Sequence, residues 1–491
     1  MKEQFLLLLS IDVRRRRRGL VLAALAGLLV SSLCAVRGAS TAQFKWLAKP
    51  VSCAADSVKA LSVCTPQPLS VTPAPGATYT DPNFGGEVSI VAPGVHQYSG
   101  ISPLSLGDKY LHVMNEANGG SSILNAASGR VVRTGSNVPY PECHWSNTSD
   151  DVCYYFSPEK PQIMRYRVSK DDSDVLIDYS DRFTGRLADG ATTDLSKDEW
   201  LAFWAQDQHT VCAVDLKAKA TYCADYKAPD PRALVPINNI DYVSISRGVD
   251  AVSGKRYVVI FGDPLAIYSV DTANRRLALE ARPDSGPGNM GNNPKNNADG
   301  ICQPGETCPT NPHGDVFEAP DGQQFFIYEA GYQGTFSGSY HCELTLSTVR
   351  LNAGGKAFTD STLGGGLTRV LPISLCGTTW QSYHVGCARN KPVCVVSTDG
   401  GANAEQDGKT PYFNEVFLVS FDRGAAPAIT PVAMHHSSES KYWTQPRAAL
   451  NFSGDTIVFD SDFGGPKLFV SYARPKRVAA ATEPQPKQQE R

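Results

Sequence analysis

Seven times along the chain, a run of aromatic and β-branched residues leads through a turn into a second β-like run that ends in polar residues. The units begin at Tyr110, Val152, Trp200, Tyr257, Gln324, Val393 and Thr456, at spacings of roughly 40 to 70 residues. A unit such as "YVVIFGDPLAIYSVDTANRRLALEA", from Tyr257, cannot bury its apolar face alone. Arranged around an axis, such units bury one another. The pattern predicts an all-β, seven-bladed β-propeller with about four strands per blade. The last unit is short of an outer strand, and "GEVSIVAPGV" (Gly86 to Val95) can supply it. Joining first to last removes the sheet edge that an open ring would expose. A pair of β-sandwiches is the rival architecture, and it explains the recurring unit less well.

The flanks read differently. "RRRRR" (Arg14 to Arg18) precedes an apolar stretch from Gly19 to Val36, with small residues near Ala39 to Ala42. Residues 1–42 are therefore expected to be a secretory signal or, if uncleaved, an N-terminal anchor and the chain's one contact with a membrane. Residues 43–85 form a Cys- and Pro-rich arm, residues 86–473 the propeller, and residues 474–491 a disordered tail.

Thirteen cysteines fit this routing. Cys34 lies in the leader. The other twelve fall into short local spacings: Cys53/Cys64, Cys143/Cys153, Cys212/Cys223, Cys302/Cys308 and Cys387/Cys394, with Cys342/Cys376 left over. Without a CxxC pair, zinc ribbons and thioredoxin-type chemistry are disfavoured, and disulfides in an oxidising compartment fit best. Spacing favours local pairing but does not fix connectivity. The expected location is outside the cytoplasm, periplasmic or extracellular, and the expected state is a monomer. The formal net charge of −3 offers no basic stripe for nucleic acid.

Polar residues share a register within the units. Counting back twelve residues from Phe156, Phe325, Val396 and Phe459 lands on His144, His313, His384 and Arg447. The chain has nine histidines, so three at one offset, with an arginine at the fourth, is an informative coincidence. Equivalent offsets on a ring converge near the axis. Imidazoles can ligate metal or move protons near neutral pH, and a guanidinium can pair with a carboxylate. The same periodicity is expected of residues that merely hydrogen-bond between neighbouring blades. His435 and His436 lie upstream of Arg447, so His436 joins His313 and His384 as a potential metal ligand. Trp380, Trp443 and Gln445 stand beside these positions, and flat rings next to polar groups suit sugars as well as they suit packing.

Other motifs are weaker. "NNPKNNADGICQPGETC" offers Asp299 and Glu306 as oxygen ligands for calcium, but its spacing departs from an EF-hand, and a disulfide-stapled surface loop explains it better. Asn147 and Asn451 begin glycosylation sequons. Asp171 and Asp172 read as a surface turn. No GxSxG, HExxH, P-loop or dinucleotide fingerprint is present.

"QPRAALNFSGDTIVFDSDFGG", from Gln445, resembles the last-blade motif of TolB-like and oligogalacturonate-lyase-like propellers. "HWSNTSDDVCYYF", "HGDVFEAPDGQQFFIY" and "HVGCARNKPVCVVS" are similar to inner-strand segments of such secreted propellers. In the lyases, a His-Pro-His-Pro run, an upstream Gln and a further His hold manganese. The metal acidifies the proton beside a uronate carboxylate, and a base removes it. The matching run here is Gln445-Pro446-Arg447-Ala448, so both histidine positions carry other residues. The resemblance implies the fold and a polar channel mouth, with manganese or calcium as the metals to consider.

Three functions follow as expectations. The first is an exported, disulfide-stabilised binding or scaffold module, with an acidic glycan or envelope component as partner at His144, His313, His384, His436, Gln445, Arg447, Trp380 and Trp443. The second is a lyase-like enzyme in which Arg447 holds a uronate and His313 or His384 is the base or metal ligand. The third is a structural envelope protein whose histidines only join blades.

Overall fold

The computed structural model describes residues 68–475 except 116–119, 189, 191–193, 206–209, 226–239, 263–264, 282–312, 337–338, 359–360, 362–363, 375–381, 400–413, 422–426 and 439–443. The leader, Cys53, Cys64, Asp299, Cys302, Glu306, Cys308, Cys376, Trp380 and Trp443 lie outside these residues, as do residues 476–491 and the side chain of Cys342. No helix among the described residues is long and apolar enough to cross a membrane.

The chain is a succession of antiparallel meanders. β1 (Thr78–Thr80) and β2 (Glu87–Pro93) come first. A three-stranded sheet follows: β3 (Tyr110–Asn115), β4 (Gly120–Asn125) and β5 (Val131–Thr134). A four-stranded sheet holds β6 (His144–Trp145), β7 (Val152–Phe156), β8 (Gln162–Arg167) and β9 (Asp172–Asp178). Two meanders come next. One comprises β10 (Leu187–Ala188), β11 (Trp200–Ala205), β12 (Thr210–Asp215) and β13 (Ala220–Asp225). The other comprises β14 (Ile240–Ile245), β15 (Tyr257–Gly262), β16 (Ala266–Asp271) and β17 (Arg276–Ala281). Then come β18 (Gly314–Glu318), β19 (Gln324–Phe336), β20 (Ser339–Arg350) and β21 (Leu367–Ser374). A further sheet holds β22 (Ser382–Cys387), β23 (Val393–Asp399), β24 (Glu415–Ser420) and β25 (Ala428–Met434). Finally β26 (Ala449–Leu450), β27 (Ile457–Ser461) and β28 (Phe469–Arg474) join β2 and β1 in one five-stranded sheet.

The arrangement is all-β and propeller-like, with ends closed as the sequence suggests: β2 pairs antiparallel with β28, Val88 opposite Ala473. It differs from seven separate sheets. The described strands form six, because β13 and β17 meet in parallel at Cys223 and Arg276 and fuse two meanders into an eight-stranded sheet. The first meander also lacks a regular inner strand. Residues 95–104 run there instead, bridged to the neighbouring strand at Val95–Met114 and Leu104–Leu111.

Apolar side chains fill the spaces between successive meanders. Tyr154, Phe156, Leu201 and Phe203 pack between β6–β9 and β10–β13. Val243, Ile245, Val211 and Ala213 pack between the two halves of the fused sheet. Phe317, Ile327, Val396 and Phe417 do the same between β18–β21 and β22–β25. Such burial is worth about 1.5–3 kcal/mol for a large aliphatic or aromatic side chain. Strand faces turned toward neighbouring sheets are thus apolar, which leaves the innermost strands to carry polar groups toward the axis.

Among the described residues, three disulfides staple hairpins within single sheets. Cys212–Cys223 and Cys387–Cys394 join directly opposed residues, with Cα atoms 4.1 and 3.9 Å apart, and Cys143–Cys153 ties the residue before β6 to β7.

Candidate functional site

Three of the four residues found by register come together. His313 precedes β18, His384 is the third residue of β22, and Arg447 stands two residues before β26. The His313 and His384 rings stack with centroids 4.4 Å apart and planes 29° apart. Tyr98 closes the group, 6.0 Å from His313 and 5.4 Å edge-on to His384. His384 is fully buried, and its pKa lies well below the usual imidazole value. Burial is the main cause; positive charge at His313, Arg447 and His96 adds to it. His384 is therefore neutral at pH 7.

Arg447 is 1 % exposed. Its Nη2 donates to Asp460 Oδ2 at 3.1 Å. The same aspartate accepts the His96 backbone N–H at 2.9 Å, and His96 Nε2 donates to the Arg447 carbonyl at 2.8 Å. The arginine backbone sits at φ +37°, where a non-glycine residue is uncommon. Arg447 is thus bolted to its own hairpin and to the chain entering the first meander.

The fourth residue, His144, stands with another set. Its ring lies edge-on to Phe156 at 6.0 Å, with Glu142 Oε2 3.8 Å from Nε2. His112 is close enough that the two imidazoles repel electrostatically. His436 faces Asp81, 4.0 Å away, beside the closing strands. Gln445 is half-buried at the start of the last hairpin. His435 donates through Nε2 to the Thr398 carbonyl and accepts the Ser437 N–H at Nδ1, so both nitrogens serve as structure.

Farther along the inner strands, the axis is crossed by buried ion pairs. Arg389 donates to both oxygens of Asp194, and its Nη1 donates to the Trp145 carbonyl and to Asn147 Oδ1, both at 2.7 Å. Its guanidinium lies 3.9 Å over the Phe452 ring. Arg247 donates to Asp315 at 2.6 Å and to the Val316 and Cys387 carbonyls at 3.0 Å, while Cys387 N–H donates back to Asp315 at 2.7 Å. Both sequon amides are absorbed by this framework. Asn147 also donates to the Ser196 carbonyl, and Asn451 donates to Asp108 and Asp455 at 2.8 Å.

The cluster does not suit a metal. Imidazole lone pairs lie in the ring plane, so two stacked, nearly parallel rings aim them side by side rather than at one ion. Arg447 has no lone pair to offer. Among the described residues, no three His, Cys, Asp or Glu side chains are grouped to hold a metal ion.

Sequence reasoning missed His96, Tyr98 and Asp460. Asp460 carries a visible signal in "VFDSD", the polar end of an apolar strand. His96 and Tyr98 do not, because extra residues in 95–104 take them out of the twelve-residue register.

No protein-family model and no curated protein matches the chain. Among solved structures, it is similar to an oligogalacturonate lyase in complex with manganese, at 12 % identity over 82 % of this chain and 96 % of that one, with a TM-score of 0.47. An oligogalacturonate lyase from Vibrio parahaemolyticus is similar at 12 % identity over 82 % and 98 % of the two chains, with a TM-score of 0.45. The hydrazine synthase of Kuenenia stuttgartiensis shows 10 % identity over 78 % and 96 %, with a TM-score of 0.41. At these identities the likeness concerns fold alone.

Proposed function

We propose that this protein is an exported, seven-bladed propeller that serves as a rigid binding or scaffold module rather than as a lyase. One observation carries the reading: Arg447, the residue a uronate would need, is buried and already engaged by Asp460. A guanidinium so placed is a structural cross-link, and recruiting it to a substrate would strip a buried carboxylate of its partner. The blade count is supported by the apolar layers, which occur between each successive pair of meanders if the fused sheet is taken as two blades. Export is supported by the three disulfides, which persist in oxidising compartments.

A ligand would be met beside His313 and Tyr98, which keep partial exposure, with the half-buried Gln445 of the last hairpin as the amide to test with them. An imidazole, a phenol ring and an amide can hold a sugar by stacking and hydrogen bonding. The test is a glycan array of neutral and acidic oligosaccharides, probed with wild type and His313→Ala. The expected result is binding that falls at least tenfold in the variant, with no unsaturated product formed from polygalacturonate. Turnover of polygalacturonate would overturn the scaffold reading, and absence of any glycan binding would leave the purely structural role.

A further inference from the structure

The segment between Val95 and Leu104 has the wrong length for its place. Its bridges to the neighbouring strand, Val95–Met114 and Leu104–Leu111, enclose nine residue steps on one side and three on the other. Six residues, Gln97 to Ser102, must therefore leave the sheet. They turn into the interior: Gln97, Ser99, Gly100, Ile101 and Ser102 are all buried, and Tyr98 is half-buried. A tight turn, Ile101 N–H to the Tyr98 carbonyl at 3.1 Å, folds the excursion on itself.

What it touches is unusual for a loop. His96 binds Asp460 and the Arg447 carbonyl of the last meander. Gln97 reads both sides of Cys143, accepting its N–H at 2.9 Å and donating to its carbonyl at 3.0 Å. Ser102 N–H donates to Asp194 at 3.1 Å, the aspartate that also holds Arg389. Pro103 accepts the Trp145 indole N–H at 3.1 Å. Tyr98 packs against His313 and His384. Gly386, in β22, lies so close that a Cβ there would sit 2.0 Å from the Ser99 carbonyl oxygen and 3.0 Å from its carbon. A single excursion thus contacts the sheets of β6, β10, β18, β22 and β26.

We propose that residues 96–103 are a built-in axial plug: the chain's own segment occupies the space enclosed by the inner strands, locks the ring from within, and fills the position beside His313 and His384 that a ligand would otherwise reach along the axis. Gly386 is the notch that receives it. The plug makes the two ends of the axis independent, so any ligand is confined to one end.

The test is a cycle in the full chain. Gly386→Ala is made in the wild type and in a chain lacking Gln97–Ser102, which restores a regular inner strand. In the wild type the substitution should raise hydrogen exchange across residues 95–104 at least tenfold, and it should lower the urea midpoint. In the shortened chain only the Ala448 carbonyl, 3.2 Å from the added Cβ, remains to resist it, so the midpoint should move by less than half as much. An equal drop in both backgrounds would overturn the proposal. Should the shortened chain fail to fold, exchange in the unmodified protein decides the matter. Amides of residues 97–102 should exchange only with the slow global opening shared by β22 and β27. Exchange a hundredfold faster than those strands would show a surface loop and sink the plug.

Discussion

Two levels of the axis hold buried polar groups, and they are built on opposite plans. At one level Arg389 faces Asp194 and Arg247 faces Asp315, with remaining donors and acceptors spent largely on backbone carbonyls and amides of other sheets. At the other, His313, His384 and Tyr98 meet through their ring faces and edges. The first level consists of guanidinium–carboxyl pairs, each group buried against its partner. The second consists of rings that meet one another, two of which keep partial exposure. Arg447 shares a register with the rings but its bonding, to Asp460 and His96, belongs with the ion pairs. Register identifies which residues approach the axis; only the partners reveal what they do there.

The comparison is broken most forcefully at Arg389. Truncating one member of a buried ion pair strands the other, at a cost of about 3–5 kcal/mol. Arg389→Ala should lose that much in urea unfolding, because Asp194 would keep only the Ser102 N–H and its own turn. Adding Asp194→Ala should recover a large part of the loss. If the single variant is nearly neutral, the ion-pair level is no more structural than the ring level.

Acid titration probes the histidines that surround both levels. Burial pushes His112 and His436 down to about 4 and His435 down to about 3. Each binds its proton more readily in the unfolded chain, so its contribution to stability is complete above the ordinary imidazole pKa and lost as pH falls toward the folded value. For His435 this amounts to about 2.5 kcal/mol between pH 7 and pH 4.5. Asp315 acts in the other direction. Burial raises its carboxyl to about 7 despite Arg247, so protonation on the way down favours the folded state. The wild-type slope is therefore a sum of opposing terms, and the clean readout is a difference. His435→Gln should be less stable than wild type at pH 7 and should show a flatter loss toward pH 4.5. Parallel curves would mean that burial does not hold His435 neutral.

Much of the ring was legible because local periodicity encodes it. Six of the seven expected unit starts, at Tyr110, Val152, Trp200, Tyr257, Gln324 and Val393, are the first residues of strands, and the seventh, Thr456, precedes one. The closing strand falls within Gly86 to Val95 because "EVSIVAP" alternates between buried and less buried positions. The axis was legible only in part. Arg389 and Asp194 are separated by 195 residues and lie on sheets that are not successive, so no pattern within either unit announces the pair. The plug has no periodicity at all, and its six extra residues hide His96 from a count that works for the regular strands.

The smallest expected effect is the most informative about the ring level. His313 is partly exposed and stacks on His384, a contact worth about 0.5–1.5 kcal/mol. His313→Ala should therefore cost little in urea unfolding. It should nevertheless change His384, which is held neutral by burial first and by positive charge at His313 second. Removing the neighbouring imidazole takes away that repulsion and lets water nearer, and both changes favour the charged form. The His384 ring, followed by NMR against pH, should titrate at a higher pH in the variant than in the wild type. A ring that titrates unchanged would mean that the stacked pair is not an electrostatic unit. The imidazoles would then be two separate packing residues, and the ring level would differ from the ion-pair level only in lacking charge.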